Sequence, residues 1–275
     1  MAQIEHRTIA FIGAGNMARS IIAGLVGSGY PAQSITATAP SPDKRDALAA
    51  TYGIHSSQDN LAAVAAAEVV VLSVKPQLMQ QVISPFSALD LNGKLIISIA
   101  AGITVPRLTE MLATPADIIR VMPNTPSLIG LGMSGLFAPH SVPEEHKLYA
   151  SQLMKAVGEV CWVEDEPQIN NVIAAAGSSP AYFFLFMEAM QKEAQAQGFT
   201  EQTARLLVQQ SALGAAQMVI ENPELDLETL RAQVTSKGGA TAQAIEVFKQ
   251  QHLCDTVAES MRAAIQRAEE MESQF

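Results

Sequence analysis

Two short glycine-rich segments carry residue types suited to holding anions. Gly13-Ala14-Gly15-Asn16-Met17-Ala18 fits the spacing G-x-G-x-x-G/A. In such a loop the first glycine permits a tight turn. The second lets the backbone approach a pyrophosphate, and the last small residue lets a helix lie close on a strand. The hexapeptide alone is a weak signal, and its flanks strengthen it. Thr8–Ile12 is a short apolar run, the pattern of a strand buried on both faces, and Met17–Val26 has the helical period, ended by Gly27 and Gly29. A helix starting there offers unpaired N–H groups and partial positive charge. The loop reads as a dinucleotide site formed by Gly13, Ala14, Gly15, Asn16 and Met17, and the chain as an oxidoreductase.

The second segment is Ser236-Lys237-Gly238-Gly239-Ala240-Thr241. Adjacent glycines free backbone N–H groups to form a concave anion nest, and a helix follows near Thr241. A carboxylate would bind there without an arginine. By residue type alone, a plain Gly-Gly loop with a Thr cap is an equally good account.

Other positions refine the cofactor. Sites selective for NAD usually carry Asp or Glu at the end of the second strand. Here that place reads Thr36-Ala37-Thr38-Ala39-Pro40-Ser41, and the next carboxylate, Asp43, falls inside a helix that Ser41 caps. Hydroxyls, a helix N-terminus and Lys44 suit a 2′-phosphate, so NADPH is the expected donor, with NADH as the alternative. Ser73-Val74-Lys75-Pro76 and Ala100-Ala101-Gly102 follow apolar strands at Val69–Val74 and Leu95–Ala100, where ligands of parallel sheets sit. Small residues in the latter segment leave room for a nicotinamide ring, and Pro76 is expected to stop its strand. Asn60 joins these positions in the expected cofactor site. Asn124 and Thr125 are second-rank candidates at the same crevice.

No cluster of His or Cys points to metal or covalent chemistry, so no metal site is expected. The five histidines are read as surface or capping residues and the two cysteines, Cys161 and Cys254, as buried thiols of a cytosolic protein. Net charge is −10, which disfavours nucleic acid as a partner. No signal peptide is visible, and the apolar stretches read as too interrupted to span a membrane.

Around these segments, strands and helices alternate to about residue 122, with further strands at Ile35–Ala39, Ile118–Val121, Met133–Ala138 and Val160–Val163. The last two would extend the sheet with an antiparallel edge. Beyond Asp165 the pattern is Ala-rich and helical: Ile169–Gly198, Thr200–Ile220 and Thr241–Glu272. The expected fold is α/β. A Rossmann-type doubly wound sheet occupies residues 1–164, and an all-α dimerisation and substrate-binding domain occupies residues 165–275. Ile173–Met190 and Ala204–Ile220 are apolar around most of their circumference, which calls for a second subunit to cover them.

Three further segments complete the pattern: Arg120-Val121-Met122-Pro123-Asn124-Thr125-Pro126, Gly177-Ser178-Ser179-Pro180-Ala181-Tyr182 and Val234–Thr241. With the phosphate loop and Val74-Lys75-Pro76, they closely resemble the pyrroline-5-carboxylate reductases over essentially the whole chain. The resemblance implies reduction of 1-pyrroline-5-carboxylate to L-proline by NAD(P)H, the last step of proline biosynthesis. It also implies a cytoplasmic homodimer, which in several members assembles into a decamer of five dimers. It places the substrate at Ser236, Gly238, Gly239, Ala240 and Thr241, with the Thr241 hydroxyl bonded to the imine nitrogen as the catalytic group. Thr is a poor acid, so a bound water or an already protonated iminium stays open as the proton source. The family usually has Pro where Lys237 stands, and many members have Thr at Ala240. The runner-up enzyme is a β-hydroxyacid dehydrogenase, which needs a helical-domain lysine that Lys192 does not match in context. A cofactor sensor with a dead substrate loop is the non-enzymatic alternative.

Overall fold

A computed structural model describes residues 5–274. Its core is an eight-stranded sheet in the order β3-β2-β1-β4-β5-β6-β7-β8. The strands are β1 (Ile9–Ile12), β2 (Ile35–Thr38), β3 (His55–Ser57), β4 (Val69–Leu72), β5 (Leu95–Ser98), β6 (Asp117–Met122), β7 (Gly132–Phe137) and β8 (Gly158–Trp162). All pairs from β3 to β6 are parallel, β7 runs antiparallel to β6, and β8 parallel to β7. The doubly wound sheet with a reversed extension is therefore present. Strand order reverses between β1 and β4, which makes their carboxyl ends the crevice for a ligand.

The alternation of side chains along the strands builds two cores. Ile9, Phe11, Val69, Val71, Leu95, Ile97, Ile119 and Val121 face one layer, while Ala10, Ile12, Val70, Leu72, Ile96 and Ile118 face the other. Both faces are covered by helices, which explains the continuous apolar runs. Each such Val, Ile, Leu or Phe contributes about 1.5–3 kcal/mol by leaving water. The helices are α1 (Asn16–Gly27), α2 (Pro42–Tyr52), α3 (Asn60–Ala66), α4 (Pro76–Ile83), α5 (Val105–Leu112), α6 (Glu144–Lys155) and α7 (Gln168–Val172). Pro42, Pro76 and Pro106 each sit in a first turn, where a missing N–H costs nothing. Pro76 thus opens α4, and the strand before it ends at Leu72.

The chain divides into two compact units. One comprises Met1–Ser178 together with Ala264–Phe275, and the other Ser179–Ala263. The second unit holds α8 (Ser179–Ala196), α9 (Glu201–Glu221), α10 (Leu227–Gln233), α11 (Ala240–Gln250) and the first half of α12 (Leu253–Glu272). The long helix expected over Thr241–Glu272 is in fact α11 and α12, broken where His252 takes a φ of 56°. Gln251-His252 carries no Gly or Pro, so the break has no sequence signal. Helix α8 buries no residue within the chain. Phe183, Leu185 and Ile220 are 66%, 68% and 68% exposed, as expected of helices that need a partner's cover.

Three expectations need correction, and one strand was not expected. Helical residues Gln168–Ala196, with hydropathy 1.3, are long and apolar enough by length and composition to cross a membrane, because Glu188 is the first charge after Pro167. Cys161 is half-buried and Cys254 exposed, since Cys254 lies on an uncovered stretch of α12. His146 is buried, its Nδ1 3.0 Å from Asp117 Oδ2. Strand β3 escaped detection because His55-Ser56-Ser57 contains no apolar residue.

Candidate active site

The phosphate loop lies at the switch point. Gly13 has φ +109°, and a Cβ there would lie 2.7 Å from the Ser73 carbonyl oxygen, so only glycine fits. Ser73 closes the loop from β4: its hydroxyl donates to the Gly13 and Ile12 carbonyls at 2.8 and 3.0 Å. That hydroxyl and the Ser73 N–H, which donates to Ile12 O at 2.9 Å, are both engaged by the fold. Gly15 caps α1 in extended geometry without a side-chain hydrogen bond, and a Cβ on it would meet nothing nearer than 4.0 Å. The first intrahelical bond from this turn runs from Arg19 N to Gly15 O. The N–H groups of Asn16, Met17 and Ala18 therefore have no intrahelical acceptor. Ala18 is fully buried against the sheet. An open cradle with free donors at a helix N-terminus fits a dinucleotide pyrophosphate.

At the end of β2, Ser41 caps α2 with no side-chain bond to the helix, so its hydroxyl is free of capping. Lys44 and Asp43 are exposed in the following turn. Sequence reasoning passed over Arg45. Its Nη1 donates to Ala39 O at 2.8 Å, which sets a guanidinium at the end of β2. Asn60 begins α3, which Asp59 caps through Ala62 N. Lys75 caps α4. After β5, Ala100 and Gly102 are buried and Ala101 is half-buried. The space over Gly102, whose φ is +73°, is taken by Met271, whose Cβ lies 2.9 Å from where a Gly102 Cβ would stand.

Asn124 is buried and its side chain is spent on structure. Its Oδ1 accepts from Met133 N at 2.9 Å, and its Nδ2 donates to Ala176 O at 3.0 Å. Ala176 belongs to a π turn, Ile173–Gly177, near the end of the first unit's long N-terminal segment. Thr125 is exposed beside it.

The anion nest lies in the second unit. Gly239 N donates to Ser236 O at 3.0 Å, and Gly238 has φ +72°. This is the geometry of a turn with glycine at its third position and, commonly, proline at its second. A Cβ on Gly239 would lie 2.5 Å from Ser236 Oγ and 3.2 Å from Ser236 O, so a side chain there would displace the Ser236 hydroxyl. Gly239 then caps α11 without a side-chain bond, and the first intrahelical bond comes from Gln243 N to Gly239 O. The N–H groups of Ala240, Thr241 and Ala242 are therefore unpaired within the helix. Ser236, Lys237, Gly238 and Thr241 are exposed in the single chain. Lys237 occupies the turn position that tolerates proline. Lys237→Pro is expected to stabilise the protein by about 0.4–1 kcal/mol through the unfolded chain. Thermal unfolding checks this, and a lower Tm would show that the Lys237 N–H is needed.

A parallel sheet with a Gly-x-Gly cradle at its switch point, joined to an all-helical unit bearing an anion nest, defines a Rossmann-type oxidoreductase. Residues 166–271 match the family profile described as pyrroline-5-carboxylate reductase dimerisation, and residues 8–102 match NADP oxidoreductase coenzyme F420-dependent. A pyrroline-5-carboxylate reductase of Vibrio alginolyticus is 63% identical over 272 residues, covering 99% of this chain and 100% of its own. That of Haemophilus influenzae is 52% identical with the same coverage. The structure of the reductase from Coxiella burnetii superposes with a TM-score of 0.92 at 42% identity, over 97% of this chain and 99% of that one. The chain belongs to the pyrroline-5-carboxylate reductase family.

Proposed function

We propose that this chain reduces the C=N bond of 1-pyrroline-5-carboxylate to give L-proline, with a nicotinamide dinucleotide as donor. Residues 1–164 bind the dinucleotide, and residues 165–275 form the dimer and bind the substrate. The observation that carries the reading is the Ser236–Thr241 nest, which presents unpaired N–H groups and two hydroxyls at a single helix start.

Gly13, Ala14, Gly15, Asn16 and Met17 hold the pyrophosphate of the donor, whose nicotinamide supplies the hydride when bound. Ser41, Asn60, Ser73, Val74, Lys75 and Pro76 line its adenosine and ribose side, and Ala100, Ala101 and Gly102 its nicotinamide side. NADPH is preferred over NADH, because no carboxylate ends β2 while Arg45 and the free Ser41 hydroxyl stand there. The unpaired N–H groups of Ala240 and Thr241, with Ser236, hold the substrate carboxylate, and Gly238 and Gly239 shape the turn that exposes them. Thr241 on the first turn of α11 hydrogen-bonds the imine nitrogen and orients it. The proton reaches that nitrogen through this hydroxyl or from a water beside it. The apolar faces of α8 and α9 pair with a second copy, and dimers assemble into a decamer of five. The apolar Gln168–Ala196 stretch serves that interface in a soluble, cytosolic enzyme.

Lys192 argues against the hydroxyacid dehydrogenase reading. It is exposed and paired to Glu188 one turn away, an ordinary surface contact. Steady-state kinetics decide the matter. NADPH oxidation is expected with 1-pyrroline-5-carboxylate, and no reduction of NADP+ with β-hydroxyacids, with kcat/KM for the imine at least about tenfold higher for NADPH than NADH. Turnover of hydroxyacids alone would reject the assignment.

A further inference from the structure

Arg120 is the largest fully buried side chain, 1% exposed, on β6 in the middle of an apolar strand. Its Nη1 lies 2.8 Å from Glu166 Oε1 and 3.2 Å from Glu272 Oε1. The same Glu166 oxygen accepts from Val105 N at 2.6 Å. Asn170 Nδ2 donates to Glu272 Oε2 at 3.2 Å. One guanidinium thus joins the segment before α7 to the last turn of α12, and Glu166 carries the link to the start of α5.

These contacts converge on the loop between β5 and α5. Val105 is the residue at which that loop ends, so Glu166 grips its far side. Met271, next to Glu272, packs on Gly102 within the loop, at a position where no side chain fits. The loop makes few hydrogen bonds of its own: the Ala100 N–H reaches Ser98 Oγ at 3.5 Å, a weak contact. Its shape is therefore imposed from outside, by a buried charge cluster and one methionine.

We propose that Glu272 and Met271, acting with Glu166 and Arg120, are positioning residues that set the Ala100–Ile103 loop against the nicotinamide half of the cofactor. The inference rests on the proposed place of the nicotinamide beside that loop. None of the four need touch the cofactor. Arg120 faces two carboxylates, so neutralising Glu272 leaves the Arg120–Glu166 pair intact and strands no buried charge. Removing Arg120 would leave two carboxylates facing each other, which makes Glu272 the better probe.

The test uses the full-length protein and two ligands, NADPH and 2′-phospho-ADP-ribose, which is the same molecule without its nicotinamide. Calorimetric titration of Glu272→Ala is expected to show NADPH binding weakened at least fivefold, with KM for NADPH raised in parallel. Binding of 2′-phospho-ADP-ribose stays within twofold of the parent. Glu272→Gln, which keeps the shape of the contact, falls between. Met271→Gly, which removes the Cβ that meets Gly102, leaves the ion cluster untouched and gives the same selective loss, and it decides alone if Glu272→Ala does not fold. Unchanged NADPH binding in the folded variants overturns the proposal. So does equal weakening of both ligands, the mark of a general loss of structure. Gly15→Val separates the two levels. If it retains both ligands, the cofactor reading beneath this inference is what fails.

Discussion

Replacing Gly15 by Val is expected to weaken NADPH binding about 100- to 1000-fold and to leave folding almost unchanged. The backbone at Gly15 has φ −79° and ψ 178°, which any residue adopts. The nearest atom to a Cβ there is Ser73 O at 4.0 Å, an ordinary contact, so the fold accepts a side chain at this position. The space it fills is the approach to the free N–H groups of α1. Hydrogen bonds from such donors to a charged phosphate are worth about 1.5–3 kcal/mol each, and losing one or two gives the stated factor. Gly13→Val makes the contrast. Its φ of +109° and the Ser73 carbonyl 2.7 Å from its Cβ make that variant a folding defect. Titration with NADPH and a thermal melt on both variants check the pair. Parental affinity in Gly15→Val would remove the pyrophosphate from this loop.

The second large effect is expected at Thr241. Thr241→Ala should lower kcat for pyrroline-5-carboxylate about 100-fold, the usual scale for removing one oriented hydrogen-bond partner from a reacting group. Thr241→Ser should retain activity within about tenfold. The residue is exposed in the chain, and among the described residues its hydroxyl makes no hydrogen bond, so neither change should move Tm. KM for NADPH should also hold, because the loop that grips the pyrophosphate is unaltered. If kcat/KM is unchanged in Thr241→Ala, the proton and the orientation of the imine come from water or from the substrate itself.

The features legible in the sequence share one property: their causes are local. Thr8–Ala18 reads as strand, turn and helix because apolar period and glycine spacing lie within a few residues of one another, and the structure places β1 and α1 there. The Ser236–Thr241 turn is legible for the same reason, since two glycines constrain their own backbone. The apolar circumference of α8 and α9 is itself a local pattern, and these helices are uncovered in the single chain. A lone Arg120 inside an apolar strand is a signal that the sequence analysis did not use, since a buried guanidinium demands acceptors. It could not say which carboxylates answer.

Those partners stand 46 and 152 residues away, at Glu166 and Glu272. The sequence offers 27 acidic residues, most of them solvated, and nothing in their spacing singles out these two. Strand β3 and the break at His252 are similar cases. One is held by backbone pairing to β2 and a hydrogen bond from Ser56 to Asp46, and the other is a local conformation without a Gly or Pro to mark it. By itself the sequence determined the βα alternation, the cradle at Gly13–Ala18 and the nest at Ser236–Thr241, since period and glycine act over a few residues. Only the tertiary structure decided that the last turn of α12 returns to the sheet of the first unit and braces the loop after β5. That outcome depends on burying one charge among partners that the chain brings together only when it is folded.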